Sequence, residues 1–298
     1  MEITSFPGPL QDAIDDALNT IRTDPRHHYG PLRRRSLYAA LRSAAEDEAV
    51  ARNVRGRLAI ITARRVQPLF IQAIAALIGR EKAREAFIAD VEMAVEDERM
   101  RDRVLGLLDF VDSNPAYLRD QGTVLNRVFA EDDEDVRETM RDRLPFIASL
   151  PAWLIVVAEG VVTGEFTEES DEAGLVLDLA HTAFGHALDY CSLPVLCAAQ
   201  ATHSMLYETL GRDPLDGLGY SLIRGNTGRY VPVTEWTDEQ LARFGGWSID
   251  TAAYGAMAYA GSLTDYSADC DPQRLEEFWT WWLTDALPTA WAATVQPR

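Results

Sequence analysis

Leu10-Gln11-Asp12-Ala13-Ile14-Asp15-Asp16-Ala17-Leu18-Asn19-Thr20-Ile21 puts leucine or isoleucine at i, i+4, i+8 and i+11 and fills the gaps with Asp, Asn and Gln. That spacing keeps one apolar stripe on one side of a 3.6-residue helix, whereas a half-buried strand would alternate every second residue. Asp24-Pro25 closes the segment, because the residue before proline is pushed out of the helical region. The same period recurs along the chain. Leu37, Leu41, Ala44 and Ala45 mark a second helix after Pro31. A third runs from about Val54 through Ile60, Ile61, Phe70 and Ile74 to Gly79, with Pro68 inside it predicting a kink. Glu81 to Val111 reads as a long charged helix with Phe87, Val91 and Val95 on its buried face, broken by Ser113-Asn114-Pro115. Further helices are expected over Pro151 to Val162, Ser170 to Tyr190, Pro194 to Gly211, a short one from Thr237, Trp247 to Ala260, and Pro272 to about Leu287. Asp271 and Pro272 give the last of these a strong start, as N-cap and first helical residue. Gly225-Asn226-Thr227-Gly228, inside Tyr220 to Val233, is the one candidate β-hairpin. The expectation is an all-α protein, a multi-helix bundle or array with at most that hairpin. It reads as one domain over 1–298, with a division into lobes 1–148 and 149–298 as its variant.

The 298 residues, 47% hydrophobic and 25% charged, have the balance of a chain that buries a core. The net charge of −19 repels nucleic acid and anionic membranes, so neither is expected as a partner. The charge is unevenly placed. Arg22 to Arg65 holds 11 arginines against 4 acids, a surplus of +7 that leaves −26 for the remainder, and Leu144 to Gly211 contains no arginine or lysine. The arginine-rich helices are therefore expected to pair internally with acids from the rest of the chain. Cys191, Cys197 and Cys270 show neither a disulfide framework nor a zinc spacing. The most apolar stretch, Leu150 to Val162, carries Glu159 and is too short to span a bilayer. With no basic and apolar leader after Met1-Glu2-Ile3, a cytoplasmic location is expected.

Walker, GxSxG and HExxH patterns do not occur. The nearest approach to chemistry is histidine placement. If the helices flanking Ser192 fold into a tight hairpin, His181 lies level with His203, and Asp178 and Tyr207 extend the same faces by one turn. Two histidines and a carboxylate on facing helices can hold a divalent metal. This gives the alternative reading of a metal- or small-molecule-binding helical protein, a hydrolase among its forms. Packing and hydrogen bonding is the commoner fate of such histidines, so no metal, no cofactor and no catalytic residue is expected. Arg26, His27, His28, Arg33, Arg34 and Arg35 form a basic patch without any nucleic-acid-binding signature. Glu131-Asp132-Asp133-Glu134-Asp135 reads as an acidic helix start. Near the end, Phe278-Trp279-Thr280-Trp281-Trp282-Leu283 spreads rings around more than half of a helix. One face must pack on the core, and the small residues of Ala256 to Gly261 allow close approach. Rings left outside suit a partner surface.

Four stretches carry a family resemblance. Ala63-Arg64-Arg65-Val66-Gln67-Pro68-Leu69-Phe70 resembles the ARRVLP helix of an all-α immunity-protein family found beside toxins in bacterial polymorphic toxin systems, the fifth in their usual numbering. Leu150-Pro151 with Ala158-Glu159-Gly160 and Gly164 is similar to that family's next helix. Asp250-Thr251-Ala252-Ala253 through Ala258-Tyr259-Ala260-Gly261 resembles its DTA…AYAG segment, and Glu277 to Leu283 with Pro288 and Trp291 resembles its aromatic ending. Gln67 stands where the family has an apolar residue, and the stretch between Phe70 and Leu150 is longer than the family's, as an inserted helical segment would make it. The resemblance implies a helical, non-enzymatic protein that binds and neutralises a cognate protein toxin, and it supplies no catalytic residues. On that reading Asp132, Asp133 and Asp135, with Trp279 and Trp281, are the candidate partner-binding residues, and an acidic surface suits a basic toxin. The sequence leaves the oligomeric state open.

Overall fold

The computed structural model describes residues 6–78, 85, 88, 154–164, 193–209, 250–260 and 271–295. Among these the chain is all-α and has no strand. The hairpin expected at 220–233 and the lobe boundary near 148 lie outside the described residues. The helices are α1 (Gly8–Thr23), α2 (Pro31–Ala44), α3 (Glu48–Ile78), α4 (154–163), α5 (Leu193–Thr209), α6 (Thr251–Ala260), α7 (Pro272–Trp281) and α8 (Leu287–Val295).

The stripe that decides α1 is in place: Leu10, Ile14, Ala17 and Ile21 are buried, and Leu18 is half-buried at the edge. The helix stops at Thr23, before Pro25, and Asp24 is extended. His27 follows with φ 53°, and its Nδ1 hydrogen-bonds the Ile21 carbonyl at 2.8 Å, which ties the turn to the end of α1. Pro31 then opens α2, whose Leu37 and Leu41 are buried.

α3 is the axis of the described fold. It passes through Pro68 as one 31-residue helix. Ala51, Val54, Leu58, Ala59, Ile60, Thr62, Ala63, Val66, Gln67 and Leu69 are all buried, so it is covered on several sides rather than along one stripe. It packs against α2, α5, α6 and α8. α6 can come close because it is built of small residues: Thr251, Ala252, Ala253, Gly255, Ala256 and Ala258 are buried. A Cβ on Gly255 would lie 2.8 Å from Thr62 Cγ2 and 2.9 Å from Phe278 Cζ, so this glycine sets the approach of α6 to α3 and α7.

The aromatic ending seals one side. Asp271 caps α7 by accepting from the N–H groups of Gln273 and Arg274 at 3.1 and 3.2 Å. Trp282 is fully buried and donates its indole N–H to Thr62 Oγ1 at 3.1 Å, while that hydroxyl donates to the Leu58 carbonyl at 2.7 Å. The helix also runs beyond the expected end at Leu287. Trp282–Ala286 widens into a π-turn, with the Leu287 N–H bonded to the Trp282 carbonyl, before α8 continues to Val295. Pro288 explains the widening. It has no N–H for the preceding turn and its ring needs room there, and one extra residue in the turn relieves both.

Two substitutions test this packing. Gly255→Ala raises helix propensity by about 1 kcal/mol. The methyl nevertheless meets a threonine held by two hydrogen bonds and a buried ring, so a net loss of about 1–3 kcal/mol is expected in urea unfolding. Gln67 is 2% exposed, and its amide nitrogen has no hydrogen-bond partner among the described residues. Gln67→Met keeps the chain length and removes the orphaned donor. It should stabilise by about 1–2 kcal/mol, and an unchanged or lower midpoint would show that the amide is satisfied in solution.

Candidate functional site

Three arginines of α2 and α3 pair with acids from later in the chain. Arg34 Nε meets Asp250 Oδ2 at 2.8 Å, with both side chains nearly out of solvent. Arg34 also donates to the Tyr29 carbonyl and lies 5.4 Å from the Trp279 ring centre. Asp250 does a second job, since its Oδ1 accepts the Ala253 N–H at 2.8 Å and caps α6. Arg55 Nε meets Glu208 Oε2 at 3.0 Å, and the other Glu208 oxygen accepts the Thr251 N–H at 2.8 Å. Arg64 pairs with Glu159 of α4. Arginines from the first quarter of the chain thus pin α4, the end of α5 and the start of α6, as the uneven charge predicted.

The electrostatics of Glu208 follow from its place. It stands in the last turn of α5, the negative end of that helix, and only 2% of its side chain is exposed. Burial pushes its carboxyl above the usual range, while Arg55 and the Thr251 N–H pull it back without cancelling that cost. Thr251 is the first residue of α6, so the N–H it offers would otherwise be an orphan of the helix start. One carboxylate therefore satisfies a helix end and a guanidinium together.

Beside this pair lies a cavity of about 370 Å3 between α2 and the first turns of α3. Arg55 and Glu208 are among its lining, Tyr38 stacks against Arg55 with 4.5 Å from guanidinium to ring centre, and Arg35, Arg42, Arg52 and Glu48 also line it. Arg42 and Glu48 pair with each other on its exposed side. On another face Arg65 stacks between Trp281 at 4.0 Å and Tyr259 at 5.2 Å, and Arg274 lies 5.4 Å from the same Tyr259 ring. Cys197 is buried, and burial lifts its thiol to about 12, so it stays protonated and is no nucleophile.

The residues expected from the sequence fall differently. Trp279 is 2% exposed and packs edge-on against Tyr29, Phe278 and Trp282, which makes it a core ring rather than a contact surface. Trp281 is half-buried, with the Arg65 guanidinium over its ring. Asp132, Asp133, Asp135, Asp178 and His181 lie outside the described residues. The backbones of His203 and Tyr207 lie in α5, with their side chains outside the described residues, so the expected convergence is not described. No group of three or more potential metal ligands occurs among the described residues. Of the basic patch only Arg34 is buried; Arg26, Arg33 and Arg35 are exposed, with Arg33 bonded to Thr20 Oγ1, and half-buried His27 has its Nε2 3.7 Å from Glu276. Sequence reasoning missed the pairing of Arg34, Arg55, Glu208 and Asp250. Its signal was a lone acid ending an apolar helix, and an Asp before a small-residue helix, in regions short of bases.

Removing one partner of a buried pair strands the other, so Asp250→Ala should cost about 3–5 kcal/mol in chemical denaturation. Asp250→Asn keeps an oxygen for the Ala253 N–H but loses the charge that faces Arg34, so it should recover only the share of the cap, about 1 kcal/mol. Equal losses would mean that the charge, and not the cap, holds this corner.

A family model described as immunity protein Imm5 matches residues 224–289. The matched segment contains Asp250, Thr251, α6, α7 and the π-turn, and so two of the four stretches that carry the resemblance, apart from Trp291; the stretches at 63–70 and 150–164 lie outside it. No curated protein matches the chain. Over residues 224–289 the chain is similar to the Imm5 immunity protein family, consistent with an immunity protein of a toxin system.

Proposed function

We propose that this protein binds a cognate toxin domain in the cytoplasm and neutralises it by covering the toxin's active site. The observation that carries this reading is the family match over residues 224–289, which includes helices packed into the core. The match points to a role by binding rather than by catalysis. Among the described residues no helix is long and apolar enough to cross a membrane. A charge of −19 supports a basic partner, because opposite fields speed encounter and favour the right face.

The contact residues proposed are the acidic run Asp132, Asp133 and Asp135 together with Trp281. The acidic run sits in the stretch that exceeds the family's length, where a partner particular to this chain would leave its mark. Trp281 offers a half-exposed ring held in place by Arg65, so little ordering cost attends its burial. The role is tested by co-expressing this chain with the toxin encoded beside it. Growth should be restored, and a stoichiometric complex should be recovered from the same cells; failure to protect overturns the proposal.

The surface is tested separately. On the sequence reading of a solvated acidic helix start, changing Asp132, Asp133 and Asp135 to arginine should leave stability nearly unchanged. Association with the toxin should slow by roughly tenfold at low salt, and the difference should shrink as salt screens the field. An unchanged rate at low salt would reduce the run to a solvated helix start.

A further inference from the structure

The cavity between α2 and α3 is cationic in a protein that is acidic as a whole. Among the described residues its lining holds four guanidiniums, from Arg35, Arg42, Arg52 and Arg55, against the two carboxylates of Glu48 and Glu208, with Arg42 and Arg52 already engaged by partners of their own. The carboxylates are already engaged. Glu48 pairs with Arg42, and Glu208 divides its oxygens between Arg55 Nε and the Thr251 N–H. What is left is a set of donors. Arg55 uses Nε for Glu208 and its face for Tyr38, and no described residue takes its two terminal nitrogens, although its side chain is 35% exposed. Arg35 is exposed and has no carboxylate partner among the described residues. The Tyr38 hydroxyl likewise bonds no described residue, and burial keeps the phenol protonated and able to donate.

We infer that this cavity is a binding site for a small anion carrying phosphate or carboxylate oxygens, held by the Arg55 fork, Arg35 and the Tyr38 hydroxyl. The volume of about 370 Å3 suits a metabolite-sized molecule. Arg55 is locked in place from two sides, so its planar fork is preorganised for two parallel hydrogen bonds to an oxyanion. Arg35 and Tyr38 are three residues apart on α2 and so project to the same side, one supplying charge and the other a neutral donor. The site is independent of the proposed toxin surface, and its test uses the purified full chain without any toxin.

The experiment is calorimetric titration with inorganic pyrophosphate, citrate and adenosine monophosphate, each against sodium chloride of equal ionic strength. Saturable one-to-one binding of at least one probe is expected, and comparison of pyrophosphate with citrate separates phosphate from carboxylate preference. Arg35→Gln, at an exposed position, should weaken that binding by about tenfold or more while leaving the unliganded melting temperature unchanged. Tyr38→Phe keeps the ring under Arg55 and should weaken it by about threefold. No saturable binding of any probe overturns the inference, and so does binding that Arg35→Gln leaves intact. Loss of toxin affinity in Arg35→Gln, without binding of any probe by the parent, would assign the cavity to an acidic side chain of the partner and overturn the small-anion site.

Discussion

Two buried carboxylates, Glu208 at the end of α5 and Asp250 at the start of α6, fix how the described helices meet. Each satisfies a backbone donor of α6 and a guanidinium from α2 or α3. Taking such charges out of water is expensive, and their attraction alone does not repay it unless the remaining lone pairs are filled. Here they are filled, and by groups that also need partners. The arrangement therefore constrains geometry more than it adds stability: Arg34 and Arg55 reach their acids only in one register of α2 and α3 against the α5–α6 corner. A helical array held by apolar contacts alone could slide by a turn at modest cost.

Around that corner the core is made of a long helix, a small-residue helix and a ring-bearing helix. Thr62 joins the three, since its hydroxyl links the Leu58 carbonyl to the Trp282 indole and its methyl would lie 2.8 Å from a Cβ on Gly255. The rings of Tyr29, Phe278, Trp279 and Trp282 then meet edge to face, an orientation favoured by their quadrupoles. The π-turn before Pro288 lets the last helix continue over α3 rather than end, and Trp291 reaches the ring of Phe6 at 5.8 Å.

The charge economy bears on the proposed role. Arg34, Arg55 and Arg64 are spent on acids from later in the chain, while Arg22, Arg26, Arg33, Arg35, Arg42 and Arg52 stay exposed, so the N-terminal helices keep a local basic face on a chain whose net charge is −19. The cavity beside Arg55 belongs to that face, and Arg65 and Arg274 are held on Tyr259 and Trp281. A protein that neutralises by binding needs a rigid surface, and an internal seam of ion pairs helps to supply it.

Periodicity by itself determined the all-helical class, the course of α1 and α2, the cap at Asp271 and the small-residue and aromatic character of the closing helices. These are legible because capping, proline breaks and apolar spacing act over a few residues, within reach of one turn. The uneven charge also announced that N-terminal arginines would pair with distant acids. Which arginine meets which acid was decided only by the tertiary structure, because Arg34 with Asp250 and Arg55 with Glu208 are 216 and 153 residues apart and no local rule links them. The same holds for the two tryptophans on one helix. Trp279 and Trp281 look alike in the sequence, and only the position of α2 and the turn before it, bringing Arg34 and Tyr29 onto one of them, made one ring core and left the other half-buried.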